Sequence, residues 1–331
     1  MKLFSSLLAA FLMAAGPAMA ACGGADLMAE LRRTEPAEAA KLEAEAAEEV
    51  NGEGLFWKIE RPGVQPSYIY GTFHTPGAID LVSDEVWQAL DGAQAAVFEL
   101  TLDDEAAMEQ RMATDPSFIV DQESKVLSLV QEYDDLVAIK AAFQRRGVDP
   151  NMAQVLRPWL QISLLSFPPC HLEAIGSGGE PLDVVMAHRA VDRGIAQIGL
   201  ETYEQALASL NSLSDEDVAN ILISAGRTGL QDEDLFQTNV ALYAAGQISL
   251  LNVFNQWFSQ QMTPELDVRA LSARMLQSLL DKRNRDWMPG LLAVLGEGNA
   301  FVGVGALHLP GQTGLVELLR AEGYTVTRLD G

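Results

Sequence analysis

Histidine is scarce in this chain, with four in 331 residues. Two of them sit in copies of one pattern, G-x-x-H-x-P-G. The first copy is Gly71-Thr72-Phe73-His74-Thr75-Pro76-Gly77 and the second is Gly305-Ala306-Leu307-His308-Leu309-Pro310-Gly311. Two chance matches that include both glycines and the proline are improbable, so the copies are read as a functional pair. Each follows an apolar run, Tyr68-Ile69-Tyr70 and Ala300-Phe301-Val302-Gly303-Val304. A glycine at a strand end lets backbone come close to whatever lies at the sheet edge. The histidine that follows then faces that space, and Gly71, Thr72 and Gly305 are the groups expected to meet a substrate there. Two imidazoles so placed can converge on one metal ion or one substrate atom.

Carboxylates stand at two further strand ends. Glu99 closes the run Ala95-Ala96-Val97-Phe98, and Glu201 follows Ile195-Ala196-Gln197-Ile198-Gly199-Leu200. Two neutral imidazoles with one or two carboxylates make a common ligand set for a divalent catalytic ion. Such an ion acidifies a water and polarises a carbonyl, and a second carboxylate can take the proton. Taken singly, a strand-end His is more often a hydrogen-bonded core or surface residue, and a strand-end Glu more often caps a helix or pairs with Arg. The repeated pattern is what lifts His74 and His308 above that. His171 and His188 lack the framing and read as structural. Other chemistries have no carrier: there is no G-x-S-x-G elbow, phosphate-binding loop, dinucleotide fingerprint or H-E-x-x-H helix.

These residues need a sheet to hold them. Leu55–Ile59 and Ser67–Tyr70 read as a hairpin around the turn Arg61–Pro66. Ser83 caps a helix running to about Leu90. Strands near 95–100, 195–200, 300–304 and 324–329 alternate with helices, which predicts an α/β fold with a central mixed sheet built from the N- and C-terminal segments. The middle, roughly 103–296, reads as a long helical insertion interrupted by the strand near 195–200. Within it, Met152–Phe167 is an apolar helix stopped by Pro168-Pro169, Pro181–Gly194 is a helix, Ser214-Asp215-Glu216-Asp217 caps another, and Thr263-Pro264-Glu265 opens another. Residues 21–50 form an acidic, Ala/Glu-rich leader, either an exposed helix or flexible, and the main domain spans 51–331.

The first 20 residues have the form of a secretory signal: Lys2, the apolar Leu3–Ala15, then Ala18-Met19-Ala20 as a cleavage site. The apolar stretch is too short to span a bilayer comfortably, and no later segment is long and charge-free enough. The chain therefore reads as exported and periplasmic. Its two cysteines, Cys22 and Cys170, then invite a disulfide, worth about 4–5 kcal/mol on loop-entropy reasoning. The less favoured alternative is a lipoprotein with Cys22 lipidated and Cys170 free and buried; Met19-Ala20-Ala21-Cys22 lacks the usual leucine. The net charge of −24 becomes −25 once residues 1–20, with one Lys and no acid, are removed. Such a surface argues against nucleic acid, whose phosphates demand basic groups, and against an anionic membrane face.

The same residues carry a family resemblance. Tyr68–His74, Phe98-Glu99-Leu100, Arg157-Pro158-Trp159, Pro168-Pro169-Cys170, Leu182-Asp183, Gly199-Leu200-Glu201-Thr202 with Glu204-Gln205, Arg283-Asn284 and Gly303–Leu309 occur in order. From about residue 51 onward the chain resembles the TraB/GumN family, which is related to the Tiki-type metalloproteases. The resemblance implies a metal-dependent hydrolase, with peptide-bond hydrolysis supported by a divalent ion (Mn²⁺, Co²⁺ or Zn²⁺) and a peptide or protein as substrate. It implies that His74 and His308 bind the ion, that Glu99 is a ligand or the base, and that Glu201 is the other partner. Arg283 would hold a substrate carboxylate or stabilise an oxyanion; otherwise it is a helix-surface Arg paired with an acid. Pheromone-shutdown relatives imply an alternative, a non-catalytic peptide-binding protein. The GumN name implies a third, an accessory factor for polysaccharide production. Family membership fixes a site more firmly than a reaction.

Overall fold

The computed structural model describes residues 22–330; the signal-peptide segment lies outside the described residues. Six strands form one sheet: β1 Phe56–Glu60, β2 Ser67–Thr72, β3 Ala95–Phe98, β4 Ala196–Gly199, β5 Ala300–Gly305 and β6 Thr325–Arg328. Their order is β4-β3-β5-β2-β1-β6. The first four in that order run parallel, and β1 is antiparallel to both β2 and β6. The sheet is therefore mixed and α/β, drawn from the chain ends together with β4, with helices filling the rest of the middle. Parallel neighbours need long crossovers, and those crossovers are the helical stretches between β2, β3, β4 and β5.

Alternation along the strands divides the core between the two faces of the sheet. Phe56, Tyr70, Ala96, Phe98 and Phe301 pack on one face. Their neighbours Trp57, Ile69, Val97 and Val302 pack on the other, against helices Lys282–Glu297 and Leu315–Ala321. A third apolar cluster, with Ile139, Phe143, Ile162 and Leu222, holds the helical middle together.

Three local expectations are corrected. Residues 27–47 take the helical alternative of the leader but are not wholly exposed: helices Leu27–Thr34 and Pro36–Ala47 bury Met28, Leu31, Ala39, Leu42 and Ala46 in the first core cluster. The apolar stretch 152–167 is not one helix. It divides into Pro150–Ala153 and Pro158–Leu165, because Pro158 holds Arg157 in an extended conformation (ψ 145°). Pro264 does not open a helix; Thr263 caps the preceding one by bonding back to the Ser259 carbonyl. The next helix, Val268–Leu276, starts where the Asp267 side chain accepts the Ala270 N–H at 3.0 Å.

Cys22 and Cys170 form the expected disulfide, across 148 residues. The bridge packs against Phe236 and Val240 and ties the N-terminal end of the described chain to helix Pro169–Gly176. No helix among the described residues is long and apolar enough to cross a membrane.

Candidate active site

All four parallel strands end on the same edge of the sheet, the edge at which open α/β sheets gather ligands. The strand order sets the order of the polar residues along it: Glu201 after β4, Glu99 after β3, His308 after β5 and His74 after β2. The backbones of Glu99 and Glu201 stay paired beyond the strands, with Glu201 N donating to Glu99 O at 3.1 Å.

The two G-x-x-H copies lie side by side but do not share a conformation. Thr72 of β2 pairs with Gly305 of β5, so the copies are offset by one residue. After Gly305 the chain turns at once into a short 3-10 segment, Ala306–His308, whereas β2 continues to Thr72 before bending. His308 is consequently buried at 3% exposure, while the His74 side chain is half exposed. Gly71 permits the close approach: a Cβ there would lie 2.9 Å from the Ala306 Cα.

Gly305 is required for a different reason. A Cβ on it would stand 3.2 Å from Glu99 Oε1, 3.4 Å from His74 Nε2 and 3.6 Å from His308 Cδ2. The missing side chain thus leaves a space ringed by the carboxylate and both imidazoles. The Gly305 N–H donates to Glu99 Oε1 at 2.7 Å.

Each imidazole is oriented from behind. The Asn284 Nδ2 donates to the carbonyls of His308 and Thr313, which leaves its Oδ1 to accept from His308 Nδ1 at 2.6 Å. That fixes the tautomer with the lone pair on Nε2. His74 Nδ1 donates to Asp183 Oδ1 at 3.1 Å. The two rings differ in charge. Burial holds His308 down to about 3, so it is neutral, whereas the Asp183 carboxylate lifts His74 to about 9. At neutral pH the His74 imidazolium must release its Nε2 proton before that nitrogen can bind a cation.

Arg283 occupies the centre of the constellation. Its Nη2 donates to Glu99 Oε2 at 2.5 Å and also to Glu201 Oε1, and its Nε donates to Glu201 Oε1 at 2.9 Å. Nη1 lies 3.3 Å from the His308 Nε2 lone pair. Trp287 supports the group from below, 4.6 Å from the guanidinium and 4.4 Å from the His308 ring. Burial alone would raise the Glu99 carboxyl; the neighbouring imidazoles, Arg283 and the Gly305 N–H instead bring it down to about 2.

The donor set fits a divalent ion in kind, with two imidazoles anchored through Nδ1 and a carboxylate around a space that no side chain fills. Thr72 lines the cavity above this space, and its Oγ1 is buried without a partner among the described residues. The set is not closed into a ligand sphere. Among the described residues no three His, Cys, Asp or Glu side chains already converge to hold one ion, and Glu201 is turned to Arg283 instead of the imidazoles.

A cavity of about 340 Å³ opens over Thr72, His74, Glu99, Arg283, Gly305 and His308. A smaller one, about 100 Å³, lies beside it between Thr72, His74, Glu99, Glu105 and Asp183. Two of these residues were not singled out by sequence reasoning. Asp183 is legible only through its place in the Leu182-Asp183 segment. Glu105 belongs to the acidic first turn of helix Leu102–Thr114, where an acid ordinarily complements the helix dipole. Here burial, followed by the charges of Asp183 and Glu109, raises it to about 7. His171 and His188 lie outside the cavity: His171 is buried against Thr75 Oγ1 and Phe167, and His188 pairs with Glu180 at the surface.

Comparison with known proteins bears on this site. The chain is 23% identical over 319 aligned residues to the metalloprotease TIKI2 of Danio rerio, an alignment that covers 82% of this chain and 60% of that protein. The chain thus spans about three fifths of the relative's length. No solved structure matches at a significant level. A model of the TraB/PrgY/gumN family matches residues 55–328, a span that includes all six strands and every residue of the constellation. The chain belongs to the TraB/PrgY/gumN family.

Proposed function

We propose that this protein is an exported metal-dependent hydrolase acting on peptide bonds. The observation that carries the reading is the space at Gly305, ringed by Glu99 Oε1, His74 Nε2 and His308 at the carboxyl edge of the parallel strands. His74, Glu99 and His308 would hold the ion, Mn²⁺, Co²⁺ or Zn²⁺. When bound, it supplies Lewis acidity that polarises a carbonyl and acidifies a water. Asp183 and Asn284 keep the two imidazoles aimed at it.

Arg283 Nη1 would lose its contact with His308 Nε2 once a cation takes that lone pair, while Glu99, with Oε1 toward the space, still has Oε2 for Nη2. Arg283 would stay on Glu201 and offer the freed N–H to the substrate carbonyl or carboxylate. Glu201 is thereby the anchor of Arg283, a reading that differs from its expected place among the ligands. Glu105, titrating near neutrality beside the cavity, suits proton transfer to the leaving amine. Thr72 lines the cavity where a substrate would lie, whereas the expected backbone groups are already taken: the Gly71 N–H donates to Leu55 O and its carbonyl accepts from the Tyr243 hydroxyl, and the Gly305 N–H donates to Glu99.

A second reading has its own observation. Arg283 bridges both carboxylates, a contact that suits holding a peptide carboxylate or carbonyl with no chemistry following. Export itself rests on the leader composition and on the disulfide, a bond of oxidising compartments.

The test is elemental analysis of protein purified without chelator, followed by incubation with a peptide mixture and Mn²⁺ and mass spectrometry of the products. About one ion per chain, lost in His74→Ala/His308→Ala, and new peptide termini are expected. Unchanged metal content in the double variant overturns the ligand assignment. Metal binding with intact peptides favours capture over hydrolysis.

A further inference from the structure

The last glycine of each G-x-x-H-x-P-G copy plays no part in the constellation. In the first copy Gly77 lies in the 3-10 segment Pro76–Leu81 without a positive φ. In the second, Gly311 has φ +90°, and a Cβ on it would stand 2.6 Å from Glu49 Oε1. Glycine at this position lets the Glu49 carboxylate rest on the loop that follows His308. The two segments are tied there, because the Gly311 N–H donates to Val50 O at 2.8 Å. Two residues on, the same loop meets a second acid. The Thr313 hydroxyl donates to Asp281 Oδ1 at 2.6 Å. Glu49 and Asp281 line one cavity of about 90 Å³, and neither forms an ion pair among the described residues.

Neutral oxygens share this cavity. Ser249 lines it and is 5% exposed, and its Oγ is buried without a partner among the described residues. Asn252 stands three residues further along helix Ile248–Met262, on the same side. Its carboxamide bonds no other described residue. A buried hydroxyl with free lone pairs, next to two uncompensated carboxylates, has the surroundings of an ion's ligand. No imidazole or thiolate lines the space, so its chemistry is that of a hard cation and differs from the imidazole-rich centre at His74 and His308. Ca²⁺ accepts about six to eight oxygens in irregular geometry, whereas Mg²⁺ demands a near-ideal octahedron. Donors that converge from separate chain segments suit the first. Glu49 and Ser249 also line a wider cavity of about 470 Å³, the route by which an ion reaches them.

We propose that Glu49, Asp281, Ser249 and Asn252 form a Ca²⁺ site, separate from the centre at His74 and His308, that clamps loop 309–313. Its effect reaches His308 through one side chain. Asn284 Nδ2 donates to Thr313 O at 2.9 Å and to His308 O at 3.3 Å, and Asn284 Oδ1 accepts from His308 Nδ1 at 2.6 Å. A fixed loop holds Asn284, and Asn284 holds the ring. The site stands whether or not the protein is a peptidase.

The experiment uses protein stripped with chelator and exchanged into chelator-free buffer, with Ca²⁺ alone as the probe. Calorimetry on His74→Ala/His308→Ala, which lacks the imidazole centre, should show about one Ca²⁺ per chain, bound at least about tenfold more tightly than Mg²⁺. Glu49→Gln and Asp281→Asn keep side-chain size and remove one charge each. Placed in that background, each should weaken Ca²⁺ by about tenfold or more. In the wild type, hydrogen exchange read by mass spectrometry should slow across residues 306–314 when Ca²⁺ is added, and should not slow in Glu49→Gln. No Ca²⁺ uptake at about millimolar concentration, Mg²⁺ bound as tightly as Ca²⁺, or full affinity in either variant would overturn the site. Ca²⁺ bound with exchange at 306–314 unchanged would overturn the clamp.

Discussion

Arg283→Met tests whether the guanidinium is what allows two carboxylates to be buried at one sheet edge. The Glu99 and Glu201 side chains are 16% and 6% exposed, and both direct an oxygen at Arg283. Methionine keeps the stem packed near Trp287 but removes every donor. At an effective dielectric of about 20, each close ion pair is worth roughly 4 kcal/mol before desolvation. Removing one partner of a buried pair typically destabilises by about 3–5 kcal/mol, a large share of an ordinary domain's stability. Urea unfolding of the metal-free protein, followed by far-UV circular dichroism in chelator, should show a loss of that size near neutral pH. Two internal checks follow. Arg283→Met/Glu201→Gln should recover much of the loss, because a single remaining carboxylate keeps the Gly305 N–H. The loss should also shrink on acidification: Glu99, held at about 2 in the native protein, titrates higher once Arg283 is gone and can neutralise by taking up a proton. A loss below about 1 kcal/mol, or one independent of pH, would refute the electrostatic account of Arg283.

Three further outcomes are expected. In Asp183→Asn the chief cause of the raised His74 value is removed, so NMR titration of the His74 ring should move from about 9 toward the ordinary 6.5; an unmoved ring would show that Asp183 does not set its charge. His171 is buried neutral at about 4. Its folded value lies below the unfolded one, so it lowers stability as pH falls from about 6.5 to about 4, by up to roughly 3 kcal/mol; His171→Gln should flatten that part of the pH–stability curve, and an identical slope would count against it. Gly305→Ala places a methyl 3.2 Å from Glu99 Oε1 and 3.4 Å from His74 Nε2. Calorimetry should find Mn²⁺ affinity reduced by about tenfold or more with little change in melting temperature, and full affinity would place the ion elsewhere.

Local pattern alone made much of this protein legible. The strands announce themselves by apolar runs, the sheet by their alternation with helices, and the candidate site residues by glycine before histidine and by acids closing buried runs. These are properties of a few neighbouring residues, and side-chain size, charge and backbone freedom act over that range. Other features depend on packing between distant segments. Residues 27–47 look like solvated leader because alanine and glutamate dominate, yet their few leucines and Met28 find the core only once the sheet exists. The Thr263-Pro264 start fails because Thr263 was already committed to the end of the helix before it. The site shows the division most clearly. The sequence by itself determined which residue types end the strands. Only the tertiary structure decided that four of those ends share one edge, since the β4-β3-β5-β2 order is set by how the crossover helices pack. It also brought Asp183 behind His74, Asn284 behind His308 and Glu105 beside them, and it set Arg283 between two glutamates. Pairings of this kind join residues up to 184 positions apart, and their strength comes from the exclusion of water, which no segment achieves alone.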